Sequence, residues 1–273
     1  MSELLGIPVT THGLWHAGSY DPQDFLGRLV GDKPWVRYAE KSFFQAFDHN
    51  YFATDFHIKM FMKNLFGKTA MPGADFDGKV VRTGWPMEYM LETLLPYQHK
   101  PKRDLILFPH RIAPEKQLEI FKGLAQAMPE YEWVICQEQN LTKQEYHKLL
   151  AESKMVFSAN LQETLGISIM EGMLVGAWPM VPDRLSYSEM YPAIYKYDPA
   201  WTSSFDSYKL NRENVINYIR HVMNHHIPTN IILDSKPIFQ KYFMSFNLLR
   251  NLNRKPVQVD SANTDMLNSE NKE

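Results

Sequence analysis

The chain has 273 residues, 44% of them hydrophobic and 13% aromatic, enough for one large or two small cores. Its net charge of −2, with no basic run beyond short patches such as Lys100-Pro101-Lys102-Arg103, excludes a strong sequence-independent grip on nucleic acid and leaves only a local basic face open. The single cysteine, Cys136, rules out an intramolecular disulfide and fits a reducing, cytoplasmic setting; with no signal peptide and no apolar stretch near about 18 residues, no membrane span is expected.

Residues 1–98 begin with a strand-like run from Gly6 to Thr11. Aromatic helices follow around Trp35 to Phe47 and Phe56 to Phe66, then a Gly/Pro-rich loop from Met71 to Gly78. Lys79 to Arg82 reads as a short strand, ending in Thr83-Gly84-Trp85-Pro86. Residues 99–103 form a polar linker. From Asp104 to about Arg254, strands near 105–108, 132–136, 155–159 and 177–181 alternate with helices, and a shorter strand is expected near Ile194 to Tyr197. Two more helices are expected near 212–224 and 236–251. This alternation predicts an α/β, doubly wound parallel sheet over 99–254, preceded by a smaller α/β domain. Residues 255–273, rich in Asn, Asp, Ser and Glu, are expected to be disordered.

The chemistry concentrates between Lys154 and Pro182. A buried strand runs through Met155-Val156-Phe157-Ser158-Ala159 into the turn Asn160-Leu161-Gln162-Glu163. Leu165, Ile169, Met173 and Leu174 then fall at helical spacing up to Gly176, and Ala177 to Val181 forms the next strand. A helix start carries unpaired N–H groups and partial positive charge, so it suits a phosphate, and Gly166 permits close approach of a ligand to the backbone. The carboxylates of Glu163 and Glu171 would repel a bare anion but can hydrogen-bond hydroxyls on either side of it. Eight residues of helix rise about 12 Å, roughly the reach from one sugar across a diphosphate to another. That spacing fits a nucleotide-sugar; it equally fits a surface Glu and a buried, paired Glu in an ordinary βαβ unit.

Leu105 to Phe108 reads as a strand leading into Pro109-His110-Arg111, with a helix starting near Pro114. Leu118, Phe121 and Leu124 then fall at helical intervals. Arg111 and Lys116 flank this helix mouth, where a fork and a point cation can neutralise a diphosphate.

Glu163-Thr164-Leu165-Gly166-Ile167-Ser168-Ile169-Met170-Glu171-Gly172, followed by Gly176-Ala177-Trp178-Pro179, resembles the E-x7-E signature of retaining GT-B glycosyltransferases of the group 1, family 4-like type. The Arg111 to Lys116 spacing is similar to that family's R-x4-K motif. The resemblance implies a GT-B fold and a UDP- or GDP-linked sugar donor. It puts the donor sugar by Glu163, the ribose by Glu171, the phosphate at the Gly166-Ile167-Ser168 amides and its charge on Arg111 and Lys116, with no metal required. Asp183 to Pro192 resembles the branch that glycosylates the queuosine base of tRNA. Lipid, polysaccharide, protein and nucleic-acid base all stay open as acceptors, with a modified base in tRNA or DNA favoured.

Ile7 to Gly13 resembles the segment where the family places a His near the donor sugar, which makes His12 the candidate and His16 a weaker one. Asp48 to Thr54 resembles a later strand of the same domain, and Thr83 to Pro86 the exit into the second. The family places about a hundred residues before this His segment, so the first domain is expected to be partial, with an exposed sheet edge. A second chain or a second copy completing that sheet is one expectation; a compact minimal acceptor platform and a non-catalytic subunit that binds donor are the others. His221, His225 and His226 have metal-like spacing but read as a solvated helix end, and Asp75-Phe76-Asp77 lacks the preceding strand that a metal-binding D-x-D needs. Kinase and dehydrogenase readings fail for want of their glycine-rich phosphate motifs.

Overall fold

The computed structural model describes Leu4 and residues 6–67 and 78–252. The Asp75-Phe76-Asp77 triplet and the 255–273 tail lie outside them. Two parallel sheets organise the described residues. The first contains β1 (His12–Leu14), β2 (His49–Phe52) and β3 (Val80–Arg82), in that spatial order. The second contains β4 (Arg103–Phe108), β5 (Glu132–Ile135), β6 (Ser153–Phe157), β7 (Trp178–Pro182) and β8 (Lys196–Tyr197), in the order β5-β4-β6-β7-β8.

Helices connect the strands. In the first domain they are α1 (Phe25–Val30), α2 (Pro34–Ala46) and α3 (Asp55–Phe66), and α4 (Tyr89–Leu94) follows β3. In the second they are α5 (Leu118–Ala127), α6 (Lys143–Glu152), α7 (Ile167–Leu174) and α8 (Tyr187–Met190). Then come α9 (Phe205–Asn224), α10 (Pro228–Tyr242) and α11 (Phe246–Leu252).

The second sheet is covered on both faces because its strands are apolar at successive positions. Side chains alternate across a strand. Leu105 and Leu107 join Val156 and Val181 on one face, beneath Ile169 and Met173 of α7 and Phe239 of α10. Ile106 and Phe108 join Met155, Phe157 and Met180 on the other, beneath Phe121 of α5 and Ile219 of α9. Each such side chain, fully buried, contributes about 1.5–3 kcal/mol. The first domain has its own smaller core of Trp15, Tyr20, Phe44, Phe52, Ile58, Phe61, Met62 and Leu65.

Several expectations need correction. The strand read from Gly6 to Thr11 starts later, at His12: Pro8 has no amide to pair, and Ile7 is exposed. The helix expected from Pro114 is a single 3₁₀ turn, Pro114–Lys116, cut off from α5 by Gln117 at φ 53°. The last expected helix, 236–251, is two helices. The carbonyls of Tyr242 and Phe243, where α10 ends, accept from the amides of Trp85 and Met87 at 2.7 and 2.9 Å, and α11 starts afresh at Phe246. Cys136 lies in a 3₁₀ turn after β5 rather than in the strand. It is buried, and burial pushes its thiol up to about 12.

The C-terminal helices return to the first domain, where the Tyr51 hydroxyl donates to the Asn251 carbonyl at 3.1 Å. Thr83 to Met87 therefore runs out of the first domain beside the segment that runs back into it. Gly84, at φ 70°, makes this possible, since a Cβ there would meet the Tyr242 backbone.

Candidate functional site

All strands within each sheet run parallel, and the loops at their C-terminal ends meet. After β2, the Thr54 hydroxyl donates to the Thr164 carbonyl of the second domain at 3.0 Å. Thr164 in turn donates to the His16 carbonyl, beyond the end of β1, at 3.4 Å. The amides of Asp55 and Phe56, in the first turn of α3, donate to the Glu189 carboxylate at 3.0 and 2.7 Å. Such an interface between the carboxyl ends of open α/β sheets is where these folds bind ligands.

At its centre lies the turn after β6. Lys116 is almost fully buried; its ammonium donates to the Gln162 carbonyl at 2.6 Å and pairs with Glu163 at 3.3 Å. The Glu163 carboxylate also accepts from the Thr164 and Leu165 amides at 3.2 and 3.4 Å. Burial pushes this carboxyl up, but Lys116 and the nearby backbone amides outweigh it and hold the group below the usual carboxylate range. His110, buried behind the pair with its ring N–H toward the Phe157 carbonyl, is pushed down to about 3 by burial and by Lys116, so it is neutral. Gly166 sits at φ 80°, and a Cβ there would come within 2.7 Å of the Tyr187 ring. The first-turn amides of Ile167 and Ser168 precede the first intrahelical bond of α7, which runs from Met170 to Gly166.

A cavity of about 400 Å³ adjoins this centre, lined by Pro109, His110, Arg111, Gln137, Leu141 and Tyr146 among others. The Tyr146 hydroxyl donates to Glu171 at 2.9 Å. Burial raises the Glu171 carboxyl, with Tyr146 and Lys143 working against it. The two carboxylates are thus unlike: one charged beside a lysine, the other half-buried against a phenol at the cavity wall. Arg111 borders the same cavity and pairs with Glu115 at 2.6 Å.

The structure therefore brings together Arg111, Lys116, Glu163, Gly166, Ile167, Ser168 and Glu171. It does not bring His12 to them. His12 opens β1, at the strand end away from the second domain, with its ring against His49 and Tyr51 and its Nδ1 2.8 Å from the Tyr51 hydroxyl. His16 occupies the interface instead, its ring 4.8 Å from that of Trp85. The His221 and His225 rings lie 4.5 Å apart, but His225 bonds the His221 carbonyl and His226 turns away to the Gly176 carbonyl, so the three do not converge on one point. Among the described residues no cluster of metal-ligating side chains is found.

Sequence reasoning missed Gln137, Leu141 and Tyr146. The Thr142/Glu145 capping box marks the start of α6 immediately after Leu141, and Tyr146 lies one position past Glu145. Nothing local pairs Tyr146 with Glu171, 25 residues away.

No protein-family model matches the chain. Solved structures with the same fold include a TarM mutant from S. aureus in complex with fondaparinux, α-GlcNAc-glycerol and UDP. It is 12% identical with a TM-score of 0.58, over 90% of this chain and 51% of TarM. HepE from Anabaena, in complex with UDP and glucose, is 14% identical with a TM-score of 0.58, over 92% of this chain and 72% of HepE. A UDP-forming α,α-trehalose-phosphate synthase from Burkholderia xenovorans is 11% identical with a TM-score of 0.50, over 88% and 70%. The chain spans about half the length of TarM. At these identities the likeness establishes the fold: two parallel α/β sheets facing one another, the GT-B arrangement.

Proposed function

We propose that the chain is a retaining GT-B glycosyltransferase that moves a sugar from a UDP- or GDP-linked donor to an acceptor hydroxyl. The observation that carries this reading is the Lys116–Glu163 pair, 3.3 Å apart at the mouth of α7 and beside a base-sized cavity. A charged acid and a buried ammonium at a helix start suit a ligand with hydroxyls on one side of a phosphate and a nucleoside on the other. The similar structures solved with UDP support the donor class.

In this reading the nucleobase enters the cavity between Pro109 and Tyr146, and Glu171 takes the ribose. The diphosphate lies across the Gly166–Ser168 amides. As the bond from the anomeric carbon to the diphosphate oxygen breaks, the electron pair leaves with the nucleotide. Arg111, Lys116 and those amides take up the growing charge, so the protein supplies the positive charge itself. Lys116 can exchange its longest contact, 3.4 Å to the Gln162 side chain, for a phosphate oxygen. Glu163 holds the sugar hydroxyls. The acceptor oxygen bonds the anomeric carbon on the face the diphosphate leaves, and its proton departs with the released nucleotide. The histidine at this junction is His16, not His12.

The acceptor reading is a modified base in tRNA or DNA, by the Asp183–Pro192 resemblance. Arg184 within it is a structural group, bonded to the carbonyls of Ala159, Asn160, Pro199 and Thr202. A second chain or second copy is the proposed cover for the first sheet: β1 pairs only with β2 among the described strands, and α2 exposes Trp35, Tyr38 and Phe43. Light scattering at micromolar concentration tests this, and a monomer with full activity removes it.

The assignment is tested by donor turnover with a panel of UDP- and GDP-sugars, using wild type, Glu163→Gln, Arg111→Ala and Lys116→Ala. Each variant is expected to lose most turnover. Wild-type rates in any two of them, or nucleotide binding without turnover of any donor, would overturn the assignment, the latter in favour of a non-catalytic subunit. No helix among the described residues is long and apolar enough to cross a membrane.

A further inference from the structure

Glu115 is a fully buried carboxylate held by two arginines from different domains. Arg111 donates to one oxygen at 2.6 Å, and Arg28, in α1 of the first domain, donates to the other at 2.7 Å. Burial pushes the Glu115 carboxyl up, but its own backbone amide and the two guanidiniums more than offset this, and it stays charged. Its carbonyl accepts from the Leu161 amide at 2.8 Å, which ties it to the turn before Glu163.

The segment carrying Arg28 is fixed to the first domain. Tyr20, at its start, is buried in that domain's core; its hydroxyl meets His57 at 2.6 Å and its carbonyl accepts from Asn64 at 2.7 Å. Asp24 caps α1 through the Leu26 amide at 3.0 Å. Beyond α1, the Gly31 carbonyl accepts from Arg37 of α2 at 3.0 Å. Arg28 therefore travels with the first sheet, whereas Glu115 and Arg111 belong to the second.

We infer that Arg28 is a positioning residue that makes the anion grip of Arg111 depend on contact between the two domains, an inference that rests on the donor reading above. With Arg28 in place, the carboxylate is shared between two cations and the trio carries net +1 beside the cavity. Without it, Glu115 and Arg111 cancel, and the carboxylate holds Arg111 away from an incoming phosphate. Arg28 touches no reacting atom in this scheme; it acts through Glu115. Separation of the domains would weaken the grip and release a nucleotide diphosphate, and closure would restore it.

The test is calorimetric binding of UDP and GDP, and of uridine and guanosine, to wild type, Arg28→Ala, Arg28→Lys, Arg111→Ala and the Arg28/Arg111 double alanine variant. For the nucleotide that binds wild type, Arg28→Ala is expected to weaken the diphosphate about tenfold and leave its nucleoside unchanged. The double variant is expected to bind no more weakly than Arg111→Ala alone, because the two act in series. Arg28→Lys, which keeps the charge, recovers part of the loss and serves should the alanine variant not fold. Diphosphate binding unchanged in Arg28→Ala, effects that add fully in the double variant, or equal losses for nucleoside and diphosphate would each overturn the inference. If Arg111→Ala also binds as wild type does, or if neither nucleotide binds wild type, the donor reading itself fails.

Discussion

Glu189 lies in the second domain, yet its carboxylate closes the N-terminus of a helix in the first, accepting from the Phe56 amide at 2.7 Å and the Asp55 amide at 3.0 Å. A helix start welcomes an anion, and here the anion comes from across the domain junction. The same helix has its own cap in Thr54, which accepts from the His57 amide at 3.2 Å. Glu189 therefore serves domain contact more than helix formation.

Replacing Glu189 with alanine is accordingly expected to lower stability by only about 1–2 kcal/mol, the loss of charge-assisted bonds at a partly exposed site. Urea unfolding measures it. Cleavage of the folded variant by protease at the junction is also expected to be faster than its lost stability alone implies, so a wild-type cleavage pattern with a wild-type midpoint contradicts the role given to this contact.

Lys116→Met strands the Glu163 carboxylate in a site where its side chain is 19% exposed. The expected loss is about 2–3 kcal/mol, short of the range for a fully enclosed pair. The double variant with Glu163→Gln is expected to regain most of it. A single variant as stable as wild type would show that the pair is not coupled.

Gly166→Ala is expected to cost about 1–3 kcal/mol, since it forces a side chain into a left-handed conformation and against the Tyr187 ring. The change also disturbs the mouth of α7, so donor turnover should fall further than stability does. Thermal unfolding and initial rates, compared on one preparation, separate the two effects.

Acid should destabilise the protein below the ordinary imidazole range. Burial lowers His57 and His110 to about 3 and His226 to about 4, with His16, Lys116 and Lys102 adding to it in turn. An unfolded imidazole takes up a proton near pH 6.5, whereas these folded ones do not. The stabilisation is complete above about 6.5 and is lost as pH falls to about 4 for His226 and about 3 for His57 and His110, by at most about 1.4 kcal/mol per pH unit for each histidine. Urea midpoints at about pH 7.5 and 5.5 measure the slope, which His226→Gln should flatten. A midpoint that does not move between these two conditions contradicts the burial of neutral rings.

Cys136 should resist thiol reagents in the folded state, because burial keeps its thiol up near 12 and little thiolate forms at neutral pH. Labelling at about pH 8 is expected to be at least about tenfold slower in native than in urea-unfolded protein. Equal rates would place Cys136 in contact with solvent.

What the residue pattern made legible was whatever rests on continuous apolar strands and helix mouths. Leu105–Phe108, Met155–Phe157 and Trp178–Val181 are buried on both faces, so composition alone marks them. Arg111, Lys116 and Glu163 follow directly from such strands, and their turns converge because parallel strands deliver all their C-terminal loops to one side. Features that depend on long-range partners were not legible. Six-residue α1 has no buried residue and hence no periodicity, yet it carries Arg28 to Glu115 across 87 positions. The division between α10 and α11 arises because Trp85 and Met87 take the carbonyls of Tyr242 and Phe243. His12 fits its motif neighbours well, but the three-residue length of β1 leaves it at the strand's starting end and passes the junction to His16.

The outbound segment at Trp85 and the returning one at Phe243 are laced together by two backbone bonds, so among the described residues the halves are joined covalently along one seam. Parting of the halves must then be a swing about that seam, like covers about a spine. Points far from it travel furthest, and the seam itself scarcely shifts. A rigidifying crosslink placed there would leave access to the cleft almost unchanged, whereas one at the opposite rim would lock it.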